Sequence, residues 1–429
     1  MKPYIIIVLL LIAVLPAAAQ PADTVVVRRT IPSMLGRLQV GGYGEVVAQR
    51  MFYSDNPSRY AYPDTYAGAT HGRVDLPHAV IYLGYEFGRG WRFATEIEFE
   101  HSGAGSAYEI EKTEAGEYET EIEKGGEVAL EQFWIEKTFT PYANLRMGHI
   151  IVPVGLTNQY HLPVEFFSVL RPEEESAILP CTWHETGVSF WGRVAHWRYE
   201  ALFVAGLDAE RFDNAGWISG GATSPYEFKI ANNYAGAFRL DNYSVPGLRV
   251  GLSGYYGYSA ANTLKPERYA ARNVKGIVAI GTFDAVYDKH NVLARANVVY
   301  GNLGGSYDIS IINKRLPSAS PSPRTDVGAS ALSWYIEAGY DILSFANLRY
   351  NDTKLYAYVH YGFYDSMYST ADGIADKAWC GKNIISAGIN YFPMKGLVLK
   401  AEYMLRKFQA PYNNEPAVSL GIAYAGFFN

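Results

Sequence analysis

Residues 91–100 read WRFATEIEFE. In an extended chain Trp91, Phe93, Thr95, Ile97 and Phe99 point one way, and Arg92, Ala94, Glu96, Glu98 and Glu100 the other. A helix would scatter the four charges around its circumference, whereas a strand sorts them onto one face. The same period of two runs through LRVGLSGYYGY (248–258), where Leu248, Val250, Leu252, Tyr256 and Tyr258 oppose Arg249, Ser253 and Tyr255. It recurs in LVLKAEYMLRK (397–407), with Lys400, Glu402 and Arg406 together. The final stretch repeats it: Val418, Leu420, Ile422, Tyr424 and Phe428 oppose Ser419, Gly421, Ala423 and Ala425.

Sixteen such segments follow one another, beginning near residues 37, 72, 91, 127, 143, 186, 197, 235, 248, 274, 291, 331, 353, 382, 397 and 416. Their connections alternate in length. Residues 54–71, 101–126, 153–185, 207–234, 259–273, 303–330 and 366–381 make long links, and 408–415 a middling one. Gly88–Gly90, Thr140–Tyr142, Arg193–His196, Asp241–Gly247, Asp288–His290 and Pro393–Gly396 are short turns, and 346–352 is middling. An antiparallel order then places every long link at one end. A sandwich or a propeller has no reason to separate long from short by parity, whereas a transmembrane barrel has short periplasmic turns and long external loops. The predicted fold is therefore all-β, a transmembrane antiparallel β-barrel of about 16 strands, with both termini periplasmic.

Composition agrees. The 429-residue chain holds 35 Tyr and 15% aromatic residues, and aromatic pairs flank the short turns: Tyr85, Phe87, Trp91 and Phe93; Phe139 and Tyr142; Trp191 and Trp197; Tyr391 and Phe392. Amphipathic rings belong at the membrane interface. Mean hydropathy of −0.08 suits strands that are apolar on one face only. Two cysteines exclude a disulfide-built scaffold, and a net charge of −6 argues against nucleic acid as a partner. Lys2, the run IIIVLLLIAVL and Ala17–Ala19 predict a secretory signal peptide over 1–19. A periplasmic segment over 20–36 and the barrel over 37–429 follow.

With apolar faces toward lipid, the polar faces line the lumen. They carry Arg92, Glu96, Glu98, Glu100, Arg198, Arg249, Arg295, Glu337, Lys400, Glu402 and Arg406. A barrel of this size is expected to leave an aqueous channel, and rings of charge along it bias which ions pass. Such charges also pair across the lumen simply to satisfy one another. The third long loop, 153–185, is too apolar to wave in solvent, with Leu162, Val164, Phe166, Phe167, Val169 and Leu170. It is expected to fold inward and narrow the pore, with Arg171, Glu173, Glu174 and Glu175 at the constriction or the wall opposite, and Glu185 at its end.

The run RPEEESAILPCTWHETG (171–187) also resembles a metal site, with Cys181, His184 and Glu175 or Glu185 close in sequence. It lacks a second well-spaced pair, so no metal and no cofactor is assigned. Export permits a Cys181–Cys380 disulfide only if the inward loop reaches across the barrel. The acidic loop 101–126 reads as a solvated surface, a divalent-bridged lipid contact or a repelling hairpin. There is no Gly-x-Ser-x-Gly elbow, His-Glu-x-x-His pair or phosphate-cradling loop, and no triad is legible around His149 or His360. The chain is not expected to be an enzyme.

Four features resemble porins of the phosphate-selective O and P type found in Bacteroidetes: GRLQVGGYGEV, GHIIVPVGLTN, RPEEESAILPCTW and the alternating last strand with Phe428. The resemblance implies a sixteen-stranded, usually trimeric, outer-membrane diffusion channel for small polar solutes or ions. Two departures stand out. Loop 153–185 holds Arg171 against Glu165, Glu173, Glu174, Glu175 and Glu185, so phosphate selectivity does not carry over. Asn429 also follows the terminal aromatic. A closed adhesin or structural barrel, and an outer-membrane hydrolase, are the rival readings.

Overall fold

The structure is a computed structural model that describes residues 37–101, 105–112, 118–125, 128–223, 228–315, 325–346 and 352–428. The expected signal peptide, the segment 20–36 and Asn429 lie outside these residues. Sixteen strands form the barrel: β1 (Leu38–Met51), β2 (His78–Gly88), β3 (Trp91–Glu100), β4 (Val128–Thr140), β5 (Ala143–Ile151), β6 (His184–Val194), β7 (Trp197–Ala205) and β8 (Tyr234–Val245). They continue as β9 (Leu248–Tyr258), β10 (Ile277–Lys289), β11 (Val292–Leu303), β12 (Ser330–Asp341), β13 (Lys354–Ser369), β14 (Gly381–Met394), β15 (Leu397–Lys407) and β16 (Glu415–Phe427). Each pairs antiparallel with its neighbours. β16 closes the ring onto β1, from Gly41↔Phe427 to Met51↔Ala417. Closure leaves no sheet edge in lipid, where an unpaired backbone group costs several kcal/mol.

The second segment differs from its sequence reading. A short strand, His71–Asp75, pairs with the far end of β1, and β2 starts at His78 against the near end. Pro77 separates them because it has no N–H to give the ladder. The acidic second loop carries its own hairpin, Gly105–Lys112 with Tyr118–Gly125.

The outer surface is an apolar belt. Ile81, Phe133, Val188, Leu252, Phe283, Val298, Ile336, Ile385, Leu399 and Leu420 are all exposed. At the short-turn end Phe87, Trp91, Phe139, Tyr142, Trp197 and Phe428 form an exposed aromatic rim. Trp191 does not join it. Its neighbour Phe190 takes the outward position, so Trp191 turns into the lumen and donates from Nε1 to Glu136 at 2.7 Å. Phe392 likewise points inward, edge-on to Tyr356. Two consecutive strand residues cannot share a face. The tight turns use left-handed residues: at Arg89-Gly90 φ is 54° and 78°. A Cβ at Gly90 would also strike the Thr138 carbonyl.

The inside departs from a hollow tube. Residues of loops 152–183, 206–233, 259–276 and 304–329 fold onto inward side chains of the wall. Trp183, Trp217, Tyr269, Phe212 and Ile309 are nearly or fully buried there, together with Leu202, Ile280 and Val299 from the strands. Much of the lumen is a packed apolar core, with wall residues from Ala94 on β3 round to Ile384 on β14.

Candidate functional site

The loop after β5 crosses the lumen and is tied down along its length. At its root Trp183 N–H donates to Asn158 Oδ1 at 2.6 Å, and Asn158 Nδ2 donates to the Val152 carbonyl at 2.7 Å. These bonds hold the two ends of the loop together. At its tip Phe167 stacks on Tyr358, with centroids 4.9 Å apart, and lies edge-on to Tyr356. The wall makes room for it at Gly339, where a Cβ would collide with the Phe167 ring. Gly362 does the same for Glu174. Lys400 Nζ donates to the Phe166 and Ser168 carbonyls at 2.9 and 2.8 Å, Asn390 Nδ2 to the Phe167 carbonyl at 2.9 Å, and Val169 N–H to Glu402 at 2.9 Å. Backbone groups that would be orphaned inside the barrel are thus satisfied by wall side chains.

The loop's three glutamates occupy one helical turn, Glu173–Ser176, and each has a different fate. Glu173 takes Arg406 Nε at 2.6 Å and a bond from Tyr364. Burial works to raise its carboxyl, but Arg406, Lys382 and those bonds outweigh it and hold the group below the usual carboxylate range. Glu174 meets His360 Nε2 at 2.7 Å, and His360 also faces Glu337, which bonds Arg295 at 3.0 Å. Glu175 is spent on structure. Its carboxylate accepts the backbone N–H groups of Leu156, Thr157 and Asn158 at 2.8–3.0 Å and a bond from Asn297 on β11. Glu185 sits on β6, on the barrel wall rather than in the loop, and pairs with Lys229 at 2.9 Å.

Arg171, Glu173 and Glu174 border a cavity of about 240 Å³ with His360, Glu402 and Arg406 opposite. A second cavity of about 360 Å³ lies toward the long-loop end, bordered by Arg59, Tyr60 and Glu415. Glu415 accepts from Arg59 at 2.8 Å and from Arg406 at 3.4 Å, so these charges stand between the two spaces. Glu173 and Glu174 on the loop meet Arg406 and His360 on the wall beside the first cavity, with Arg171 and Glu402 of opposite sign on each side.

The remaining inward charges pair within the lumen. Arg198 bonds Glu200 at 2.5 Å, and Arg249 bonds Asp241 and Asp284 at 2.9 and 2.7 Å. Arg239, with side-chain exposure of 0%, joins the same two aspartates and the Gly155 carbonyl. Arg92 reaches Glu136 at 3.6 Å, and Glu98 takes His78 at 2.5 Å. Glu96 accepts from Gln132 at 2.6 Å, and Glu100, the last residue of β3, lies beside His78 and Glu98. Cys181 and Cys380 are unbonded: Arg171 approaches Cys181 Sγ at 2.6 Å, and Cys380 donates to the Asn214 carbonyl at 3.2 Å. His184, which the sequence sets beside Cys181 without a metal being assigned, meets His149 at 2.5 Å.

Two inward residues escape the sequence reading. His161, in the loop, is buried against Tyr43 and Glu131. Burial pushes its imidazole below the ordinary value. Glu131 is inward because β4 carries a bulge: Glu96 pairs with Gln132 and Ile97 with Leu130, so Glu131 is the extra residue. A signal was present. The outward apolar positions switch from Val128 and Leu130 to Phe133 and Ile135, even to odd, across the bulge.

This is the fold of an outer-membrane porin: a closed sixteen-stranded transmembrane barrel of the kind found in Gram-negative bacteria. Similar solved structures include the Salmonella typhi OmpF complex with daunomycin (TM-score 0.55, 12% identity, 91% of this chain and 97% of that one). The outer membrane channel DcaP of Acinetobacter baumannii (TM-score 0.51, 10% identity, 91% and 97%) and an anion-selective porin from Comamonas acidovorans (TM-score 0.50, 11% identity, 91% and 99%) are others. In sequence the chain is 26% identical over 400 residues to an uncharacterized protein of Aquifex aeolicus (strain VF5), covering 88% of this chain and 78% of that one. No family model matches.

Proposed function

We propose that the chain is a passive outer-membrane channel for small polar solutes or ions, narrowed by the loop 152–183 and filtered by charge. It has the character of the O and P type porins without their phosphate selectivity. The observation that carries this reading is the charged cavity between the loop's Glu173 and Glu174 and the wall's His360 and Arg406. An adhesin barrel has no need of a charged gap between a docked loop and the wall. A hydrolase needs a nucleophile beside a base in the cavity, and among the described residues the cavity's hydroxyls, Ser168, Ser176, Ser386 and Ser419, make no hydrogen bond to a histidine. The chain belongs in the outer membrane as a homotrimer delivered by its signal peptide, as the resemblance implies; part of the apolar belt would then be subunit interface.

The test is single-channel conductance of purified, heat-modifiable protein in a planar bilayer under a salt gradient. Discrete steps with cation preference are expected. Steps with anion preference would mean that Arg406 and the other lumen bases dominate the filter. No steps from folded protein would overturn the channel reading.

A further inference from the structure

Glu96 on β3, the bulge residue Glu131 on β4 and His161 on the inward loop bring one donor atom each within 4.8 Å of one another. Their hydrogen bonding is one-sided. Tyr43 donates to Glu131 Oε2 at 2.5 Å, and Glu131 Oε1 has no partner. Gln132 donates to Glu96 Oε2. His161 Nδ1 faces the Asn158 carbonyl at 3.2 Å. A carbonyl only accepts, so Nδ1 carries the proton, and in the neutral ring Nε2 presents a lone pair. Nε2 has no hydrogen-bond partner and looks at Glu131 Oε1 across 3.8 Å. Glu131 is 0% exposed and His161 8%. Two buried acceptors thus face each other across 3.8 Å, with Thr182 and Arg171 near the carboxylate but no hydrogen bond to either atom, and a cation between them would satisfy both.

The separation is too long for a hydrogen bond and close to the spacing of two ligands on one ion. Metal–nitrogen and metal–oxygen bonds of about 2.1 Å put tetrahedral ligands about 3.4 Å apart. One imidazole with two carboxylates suits a first-row divalent metal such as zinc rather than calcium or magnesium, which take oxygen alone. The outer contacts are also those of a metal site: a carbonyl fixes the histidine tautomer, and a tyrosine holds the carboxylate's other oxygen. We infer that Glu96, Glu131 and His161 bind one zinc-class divalent cation, which clamps the root of the inward loop to β3 and β4. The loop's tip is held by Lys400, Asn390 and Glu402 on β14 and β15, so the ion would fasten its other end.

The probe is Co²⁺, followed by Zn²⁺ competition, on the full folded barrel in detergent after chelator treatment. Wild type is expected to take up one equivalent per chain, to show visible d–d absorption of nitrogen/oxygen coordination, and to lose that absorption to Zn²⁺. His161→Ala and Glu131→Gln should each weaken binding by about 100-fold or more, since even outer-shell losses cost 10–100-fold. His149→Ala should leave it unchanged, which separates this site from the His149–His184 pair. No stoichiometric uptake by heat-modifiable wild type overturns the inference without need of any variant. Uptake that survives His161→Ala, or that falls with His149→Ala, overturns it as well.

Discussion

At the scale of single residues, the three adjacent glutamates 173–175 divide into two that face a cavity and one that fastens the loop. Glu173 and Glu174 border the cavity, and Glu173 neutralises Arg406 at 2.6 Å. Glu173→Gln leaves that guanidinium without its loop counter-charge, so the reversal potential should move toward anions. Glu175→Gln should not move it, because Glu175 holds three backbone N–H groups away from the cavity. Its amide would instead set a donor against donors, at a cost of about 1–3 kcal/mol seen as a lower melting point. Equal shifts from both variants would refute this division. The pH dependence has a definite sign. Glu173 sits below its reference value of 4.5. The stability it contributes is complete above that value and is lost as pH falls through the depressed folded value. Thermal scans of wild type and Glu173→Gln should therefore converge at strongly acid pH and diverge toward neutrality.

Among elements, the inward loop is the one whose packing against the wall bears most on the proposed pore. Phe167 fills a slot between Tyr356, Tyr358 and Gly339, and truncating such a ring costs about 3–5 kcal/mol. Phe167→Ala should loosen the tip and raise single-channel conductance. Unchanged conductance in the folded variant would mean the tip does not narrow the path. The strands themselves were legible because one face meets lipid and the other does not, which forces a period of two on the sequence. The loops were less so. Leu162–Leu170 announced burial, but nothing local says that Phe167 meets β13 or that Glu175 turns back onto Leu156. Those contacts join residues far apart in the chain. Trp191 was misplaced by proximity to a turn although Phe190 beside it had already claimed the outward position. The bulge at Glu131 was readable in the parity switch around it, yet a rule of strict alternation overlooks a single inserted residue.

For the whole molecule, the division of the lumen is the most testable consequence. Loops packed around Trp183 and Trp217 fill much of the lumen, and the cavities beside Arg406 and Glu415 lie along β1 and β13–β16. The barrel's sixteen strands set a circumference wide enough for water, and its loops spend much of that width on apolar burial. Thiol labelling maps the boundary directly. In a background of Cys181→Ser and Cys380→Ser, Gln49→Cys and Ser176→Cys place thiols on the cavity wall. Thr282→Cys places one in the packed interior, where Thr282 and Ser253 already share a hydrogen bond. A charged, membrane-impermeant thiol reagent added during bilayer recording should step the current down for the first two and leave the third unaffected. Labelling at Thr282→Cys with a fall in current would mean that water crosses the region assigned to the core. Silence at Gln49→Cys and Ser176→Cys would mean that the path avoids the cavity the loop borders, and the charge filter would have to be sought elsewhere on the wall.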